Sequence, residues 1–535
     1  MNYKVLRWAR VAVSLIFLVL ISLFFIDYRH FLPEKLISGV LYLQFIPSLM
    51  KFVQVLSVSA LGFAVILVLT AFFGRIYCSS FCPLGTLQDV ISSLSVKLKR
   101  RNKRRFRYSR PYTIIRYGLL ALTAALLIAG SSFLVNLLDP YSGFGRIFTY
   151  LVKPLVVEIN NLVAHILEAR RIYSVFRVDL AGIRWEVLLV PVIILIVVLW
   201  FSFRRGRLFC NTVCPVGSLL GLLSRVSVFK IRIDESRCTR CGLCIRRCKS
   251  ECIDIKNALV DMSRCVDCYN CLVSCPESAM KYDTRAGILS VRAGRPVTNN
   301  TATGTVGAEA DMDKRKFIFG SLAFFLGAIG ISLAQKTPVP KKASTVPEKK
   351  KFPVSPPGSR SISTFNDACT GCALCVSVCP TQVLQPSFLE YSLAGFMQPR
   401  MDYHTNKCTY DCVRCLEVCP TGALLPVPLA EKKTIQLGRS IFIKDNCIVH
   451  TEKTDCGACS EACPTKAVYM VPYEGTLVIP EVNIEICTGC GACEYACPTT
   501  PYKAIYVDGN PVHRVARLPE EQVKSKIDLE EEFPF

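Results

Sequence analysis

The chain has 535 residues, of which 51% are hydrophobic, and carries 29 Cys against 5 His, with a formal net charge of +23. No Cys is followed by His, which excludes c-type haem, and His30, His165, His404, His450 and His513 all fall outside clearly apolar spans, so no b-type haem is predicted. From residue 361 onward there are 14 Lys/Arg against 21 Asp/Glu, about −7; the first 360 residues therefore carry about +30, clustered beside apolar stretches, which fits membrane topology rather than nucleic-acid binding.

Four apolar stretches come first, at 11–26, 52–73, 114–138 and 185–203, each near the length that crosses a bilayer. Lys4, Arg7 and Arg10 precede the first. Nine Lys/Arg and no acid lie from Lys97 to Arg110, and Arg204, Arg205 and Arg207 follow the fourth. All three clusters share one side if the N-terminus is cytoplasmic. The stretch 147–167 holds Lys153, Glu158, Asn160 and Asn161, and reads as an outer-surface amphipathic helix or a re-entrant segment.

An ungapped repeat at an offset of 132 links Gly74–Leu87 to Gly206–Leu219. Each copy carries C-x3-C-P: Cys78 and Cys82 in one, Cys210 and Cys214 in the other. The membrane part therefore reads as a four-helix transmembrane bundle of two parallel helix-pair repeats. Packing could bring the four thiols together, enough for one cluster. Two disulfides, a redox-active thiol pair and structural thiols are the alternatives. Arg75 and Arg207 would offset thiolate charge, or serve as inner-side topology charge.

Residues 229–290 hold two bacterial ferredoxin runs: Cys238, Cys241, Cys244, Cys248 and Cys265, Cys268, Cys271, Cys275-Pro276. Thiolates are soft anionic ligands that match the iron of a sulfide cluster. Three close cysteines wrap one cubane and the fourth reaches the partner cluster. The expected sets are Cys238, Cys241, Cys244 with Cys275, and Cys265, Cys268, Cys271 with Cys248. Cys252 is a spare thiol that could replace Cys248. Short strands are expected at 229–233, 252–255, 259–262 and 279–282, making a small α+β fold.

A linker, 291–316, leads to a fifth apolar span, 317–334, preceded by Lys314, Arg315 and Lys316. A Lys-, Pro- and Ser-rich linker, 335–361, reads as an extended spacer. A second cysteine-rich α+β domain, 362–516, carries four motifs: Cys369, Cys372, Cys375, Cys379; Cys408, Cys412, Cys415, Cys419; Cys447, Cys456, Cys459, Cys463; and Cys487, Cys490, Cys493, Cys497. Each ends C-x2-C-x3-C-P; only the first gap widens in motifs two and three. Ligand exchange could join motif one with two and three with four, or one with four and two with three. Strands are expected at 467–471, 476–484 and 504–507, and an acidic tail, 517–535, closes the chain. Six clusters of the [4Fe–4S] type are thus expected, with a seventh at the C-x3-C-P thiols as the further option. Zinc knuckles do not repeat in this pattern.

These motifs resemble two subunits of periplasmic nitrate reductase systems. Residues 1–285 are similar to the membrane ferredoxin-type protein, with four transmembrane helices and paired C-x3-C-P motifs. Residues 312–510 resemble its companion, a periplasmic four-cluster ferredoxin. Met312–Ile318 resembles the start of a twin-arginine export signal, with Lys-Arg in place of Arg-Arg. The resemblance implies a natural fusion that oxidises menaquinol or another quinol and passes electrons to a periplasmic reductase or multihaem cytochrome within a larger membrane complex. It implies a bacterial inner-membrane protein with a cytoplasmic two-cluster domain and a periplasmic four-cluster domain. It also favours pairing motif one with four and two with three. Quinol-site candidates are His165, Asp139 and Glu186, proton acceptors on the outward segments. The competing functions are a redox maturation factor that reduces a client metal site, with exposed Cys78 and Cys210, and a subunit of an ion-coupled redox complex.

Overall fold

A computed structural model describes residues 2–27, 29, 31–55, 61–98, 106–180, 185–284 and 346–518. The expected fifth span, the export-signal-like segment, the linker 291–316 and the tail beyond 518 lie outside the described residues.

The helical part begins with α1 (Tyr3–Ile26), followed by α2 (Glu34–Tyr42), α3 (Phe45–Val55) and α4 (Gly62–Phe73). The first C-x3-C-P sits on α5 (Ile76–Ser80) and the start of α6 (Pro83–Leu98). Next come α7 (Thr113–Ile128), α8 (Phe133–Leu138) and α9 (Pro140–Ile147), which runs through a π-turn, Phe148–Val152, into α10 (Lys153–Ala169). The second C-x3-C-P follows α11 (Trp185–Arg205), on α12 (Leu208–Thr212) and the start of α13 (Pro215–Ser224).

Three helices among the described residues are long and apolar enough to cross a membrane: Tyr3–Ile26, Pro140–Ala169 and Glu186–Arg205. Two of the four expected spans, the first and the fourth, are therefore continuous. The second is not: α3 and α4 are separate helices that pack on each other, with Phe52 and Phe63 rings 5.3 Å apart. Instead α2 and α3 form a pair bent by 101°. The bend is tolerated because its backbone is satisfied internally, Phe45 N–H donating to the Tyr77 hydroxyl at 3.3 Å and Gln44 N–H to Leu41 O at 3.0 Å. The third expected span also breaks. The low-propensity run after Ile128 turns the chain, Ser131 N–H closing onto Leu126 O at 2.8 Å. The stretch 147–167 belongs to a continuous helix long enough to span, not a short surface segment.

The two repeat copies interlock. α1 packs on α5 and α6, and α7 packs on α12 and α13. α4, which precedes copy one, packs on α13 of copy two; α11, which precedes copy two, packs on α6 of copy one. This exchange forces the two C-x3-C-P turns against each other.

The first cysteine-rich domain is built from β1 (Phe229–Ile233), α14 (Leu243–Arg247), β2 (Ile253–Asp254), β3 (Leu259–Val260), α15 (Asn270–Ser274) and β4 (Met280–Thr284). β1 pairs antiparallel with β4, and β2 with β3. The second domain contains β5 (Leu384–Pro386), β6 (Pro399–Met401), β7 (Ile435–Phe442), β8 (Val468–Pro472), β9 (Val478–Val482) and β10 (Ile505–Val515), paired β5–β6, β7–β10 and β8–β9. Residues 346–361 are not a spacer. Lys351 and Phe352 N–H groups donate to Asp508 Oδ1, and Val354, Ser355 and Ser359 are buried in the domain.

The domains meet opposite ends of α1. Tyr3 and Leu6 pack against the first domain's core, while Phe25 lies against Gly145, whose position also faces Cys372 O. A 24-residue helix is about 36 Å long.

Candidate iron–sulfur sites

In the first domain, one cage is lined by Cys238, Cys241, Cys244 and Cys275-Pro276, the set expected from ligand exchange. Cys265, Cys268, Cys271 and Cys248 form the second, the other three lying within electrostatic reach of Cys271. The spare Cys252 is 1% exposed, its Sγ 3.5 Å from that of Cys248.

The second domain also forms cages by exchange, but in the other arrangement. Cys447, Cys456, Cys459 and Cys497 line one cavity, so motif three pairs with motif four. Cys463 accordingly stands with Cys487, Cys490 and Cys493. Cys419 stands with Cys369, Cys372 and Cys375, and Cys379 with Cys408, Cys412 and Cys415. The expected pairing of one with four and two with three is thereby corrected. The chain order explains it: consecutive motifs share one compact unit each, and the units abut where Cys408 N–H donates to Cys490 O at 3.0 Å.

The cages fit a metal cluster. Burial pushes the Cys244 thiol up to about 11, and Cys459 and Cys372 up to about 12, so without metal they prefer the neutral form. They are therefore not reactive free thiolates, and iron would ionise them on binding. Gly371 N–H donates to Cys369 Sγ at 3.4 Å, and Leu424 N–H to Cys419 Sγ at 3.4 Å, the backbone donors a thiolate cage needs.

The interlocked helices bring Cys78, Cys82, Cys210 and Cys214 together, each 3–4% exposed, and none is in a disulfide. Gly85 N–H donates to Cys82 Sγ at 3.4 Å, and Gly217 N–H to Cys214 Sγ at 3.3 Å. The arginines cross between copies. Arg75 Nη2 approaches Cys78 Sγ at 3.7 Å and Cys210 O at 3.4 Å, while Arg207 Nη1 donates to Cys78 O at 2.6 Å. Arg10, Arg75, Arg116 and Arg207 are all buried here with two acids: Asp89 takes Arg10 at 2.5 Å, Arg207 at 2.8 Å and Lys249 at 3.6 Å, and Asp267 is buried beside Gly74 and Arg75. Buried Nε of Arg75 and Arg116, Nη2 of Arg207 and Nε2 of Gln88 find no partner. Such a surplus of buried positive charge is stable only beside an anion. A thiolate-bound iron–sulfur cluster supplies one.

The helical part touches the cages on both sides. Toward the first domain, Gly74 and Gly206 both have positive φ and abut its loops: a Cβ would fall 2.4 Å from Asp267 Oδ2 at the first and 2.5 Å from Lys249 O at the second. Arg75 Nη1 also donates to Ser263 O at 3.0 Å. On the other side, Arg146 donates to Gly371 O at 2.9 Å and Thr370 O at 3.2 Å, holding the Cys369–Cys375 loop against α9. One continuous apolar core contains Cys268, the four C-x3-C-P cysteines and Cys372, with Tyr77 and Tyr141 between.

The quinol-site candidates do not converge. Asp139 is buried as the N-cap of α9, accepting from Ser142 N at 2.9 Å and Ser142 Oγ at 2.6 Å. His165 is exposed near the far end of the same helix, about 40 Å away, and meets Arg177 at 3.0 Å. Glu186 is half-buried at the start of α11. Asp89, Gln88 and Arg116 were not singled out in the sequence, and Arg10 was read only as topology charge. Asp89 carries a signal that could have found it: it is the only acid between Glu34 and Asp139.

A family profile described as a 4Fe–4S binding domain matches residues 57–102 and 187–234. The only cysteines in those stretches are Cys78 and Cys82, and Cys210 and Cys214. A second, described as a 4Fe–4S dicluster domain, matches 356–423 and 454–500. The chain is 26% identical over 182 residues to an uncharacterized protein of Methanocaldococcus jannaschii, covering 34% of this chain and 54% of that one. It is 27% identical over 187 residues to the putative electron transport protein YccM of Escherichia coli, covering 34% and 44%. It is 27% identical over 177 residues to the methylamine utilization ferredoxin-type protein MauN of Paracoccus denitrificans, covering 33% and 48%. The chain thus spans about half the length of these curated relatives. No solved structure matches it. The chain is a polyferredoxin-like protein with 4Fe–4S domains and membrane-length helices.

Proposed function

We propose that the chain is a membrane iron–sulfur electron-transfer protein that holds seven [4Fe–4S] clusters in one line. Six are on the ferredoxin motifs and the seventh is on Cys78, Cys82, Cys210 and Cys214. The observation that carries this reading is the convergence of those four thiols, amid buried arginines that keep nitrogen atoms without a partner, in stretches that match a 4Fe–4S profile. Each cluster supplies a one-electron carrier when bound. The chain's own residues hold the thiols, exclude water and balance charge: Arg75 and Arg207 at the central site, Arg146 at the loop of Cys369–Cys375.

The position of the central site between two cluster-bearing domains supports conduction across a bilayer, with the first domain cytoplasmic and the second periplasmic. The names of YccM and MauN are in keeping with electron transport. Menaquinol or another quinol as donor, and a periplasmic reductase or cytochrome as acceptor within a larger complex, follow from the resemblance to the two nitrate reductase subunits. A quinol would need a site other than one assembled from His165, Asp139 and Glu186. The maturation-factor reading requires exposed Cys78 and Cys210, and their 4% and 3% exposure speaks against it.

The test is reconstitution of the loaded protein in vesicles with a trapped, membrane-impermeant oxidant. Electrons from an external impermeant reductant should reach it, and a menaquinol analogue in the bilayer should bleach the clusters. Bleaching by the reductant alone would remove quinol as donor. Failure of any electron to cross would overturn the conduction reading.

A further inference from the structure

Cys241 is the one exposed cysteine among the 29, all of which are described. It belongs to the cage of Cys238, Cys241, Cys244 and Cys275, at the end of the line away from the helices. The run from Arg237 to Arg247 contains four arginines and no acid. Arg237, Arg240, Arg246 and Arg247 are all exposed. Arg237 reaches Asp234 at 3.9 Å, but Asp234 is already held by Lys281 at 2.8 Å. Among the described residues, no carboxylate forms an ion pair with Arg240, Arg246 or Arg247. Glu235 and Glu277 are the exposed acids nearby, Glu277 lining the cage itself. Leu243, 39% exposed, gives the collar an apolar centre. Arg240 adopts a left-handed φ of +54° between two ligand cysteines, which fixes it at the rim. The cage at the opposite end differs: the run from Cys447 to Cys463 holds Glu452, Asp455 and Glu461 against Lys453.

An electron-transfer protein exposes its terminal centre where a partner docks, and complementary charge steers that encounter. We propose that the arginine collar around Cys241 is the docking surface for a small soluble electron carrier with an acidic face around its own redox centre, of the ferredoxin or flavodoxin class. This rests on the electron-transfer reading above. It gives the first domain a role that a quinol donor at the helices would leave unexplained. Cys238, Cys241, Cys244 and Cys275 would hold a one-electron cluster, which would be reduced by one electron for each electron by which the docked carrier is oxidised; the reverse transfer would balance in the same way.

The experiment mixes the loaded, full-length protein in detergent rapidly with a reduced, acidic two-cluster bacterial ferredoxin. The variant is R240E/R246E/R247E, and methyl viologen radical serves as a second reductant. The wild-type rate should fall steeply as salt rises, and the variant should be slower by roughly 10- to 100-fold at low salt. Viologen reduction and iron content should be the same in both. Equal ferredoxin rates in wild type and variant would overturn the docking surface. If viologen reduces the clusters but ferredoxin reduces neither protein, docking falls and the electron-transfer reading stands. If neither reductant works, both fall.

Discussion

The central four-thiol site and the six ferredoxin cages present the same donors but assemble them in opposite ways. A ferredoxin cage takes three ligands from one short loop and a fourth from a neighbouring motif, as in Cys238, Cys241, Cys244 and Cys275. The surrounding domain needs only two-stranded sheets and short helices, because bound metal contributes to the folding free energy. The central site takes two ligands from each of two segments 132 residues apart and encloses them in long helices. It also buries arginines from four segments, two of them paired with Asp89. The ferredoxin cages are therefore local and metal-dependent. The central site is non-local, and its ion pairs hold the helices in place.

That contrast is open to attack first at Asp89. Asp89→Asn leaves Arg10, Arg207 and Lys249 without their counter-charge and should cost about 3–5 kcal/mol of stability in the helical part, read as a lowered Tm in detergent. The matching lesion in a local cage, Cys408→Ser, should remove one cluster and leave the helical melting transition in place. Equal loss in both variants would erase the distinction.

A smaller effect is expected at Gly217, where a Cβ would lie 2.2 Å from Cys210 O and 2.8 Å from Arg75 Nη2. Gly217→Ala should cost about 1–3 kcal/mol by overpacking and lower the iron content by about four atoms per chain, leaving the ferredoxin spectra unchanged. Unchanged iron would mean that the two copies need not approach so closely.

The smallest effect is in the second domain, away from the central charges. Burial holds the His513 imidazole down to about 4, beside Ser355 Oγ at 2.9 Å. The unfolded chain therefore binds one more proton between pH 6.5 and 4. Stability contributed by neutral His513 is full above pH 6.5 and lost as pH falls, about 1 kcal/mol between pH 7 and 5.5. Chemical unfolding of the loaded protein across that range should show this slope, and His513→Gln should flatten it.

The same contrast governs how much the sequence reveals. The 24 cysteines of the ferredoxin motifs were legible because their spacing is local, and β1, β4, β8 and β9 followed from short runs beside them. β5, β6 and β7 were missed: Leu384–Pro386 and Pro399–Met401 are three-residue strands interrupted by proline, and Ile435–Phe442 contains a glycine and polar residues. Pairing of the outer motifs depends on contacts between loops, which spacing leaves open. In the helical part, hydropathy found apolar stretches but not the bend at Gln44 or the break after Ile128, where buried side chains and turns satisfy the backbone. The repeat announced the four thiols. The crossing of Arg75 and Arg207 between copies, and the convergence of Arg10, Arg207 and Lys249 on Asp89, required the helices to be in place.

The most direct test is an iron and acid-labile sulfide count on the intact chain, purified anaerobically, beside the variant with Cys78, Cys82, Cys210 and Cys214 all changed to Ser. Seven clusters predict about 28 iron atoms per chain, falling to about 24 in the variant with the ferredoxin-type EPR signals retained. About 24 in both proteins would contradict a cluster at the central site and break the line between the two domains.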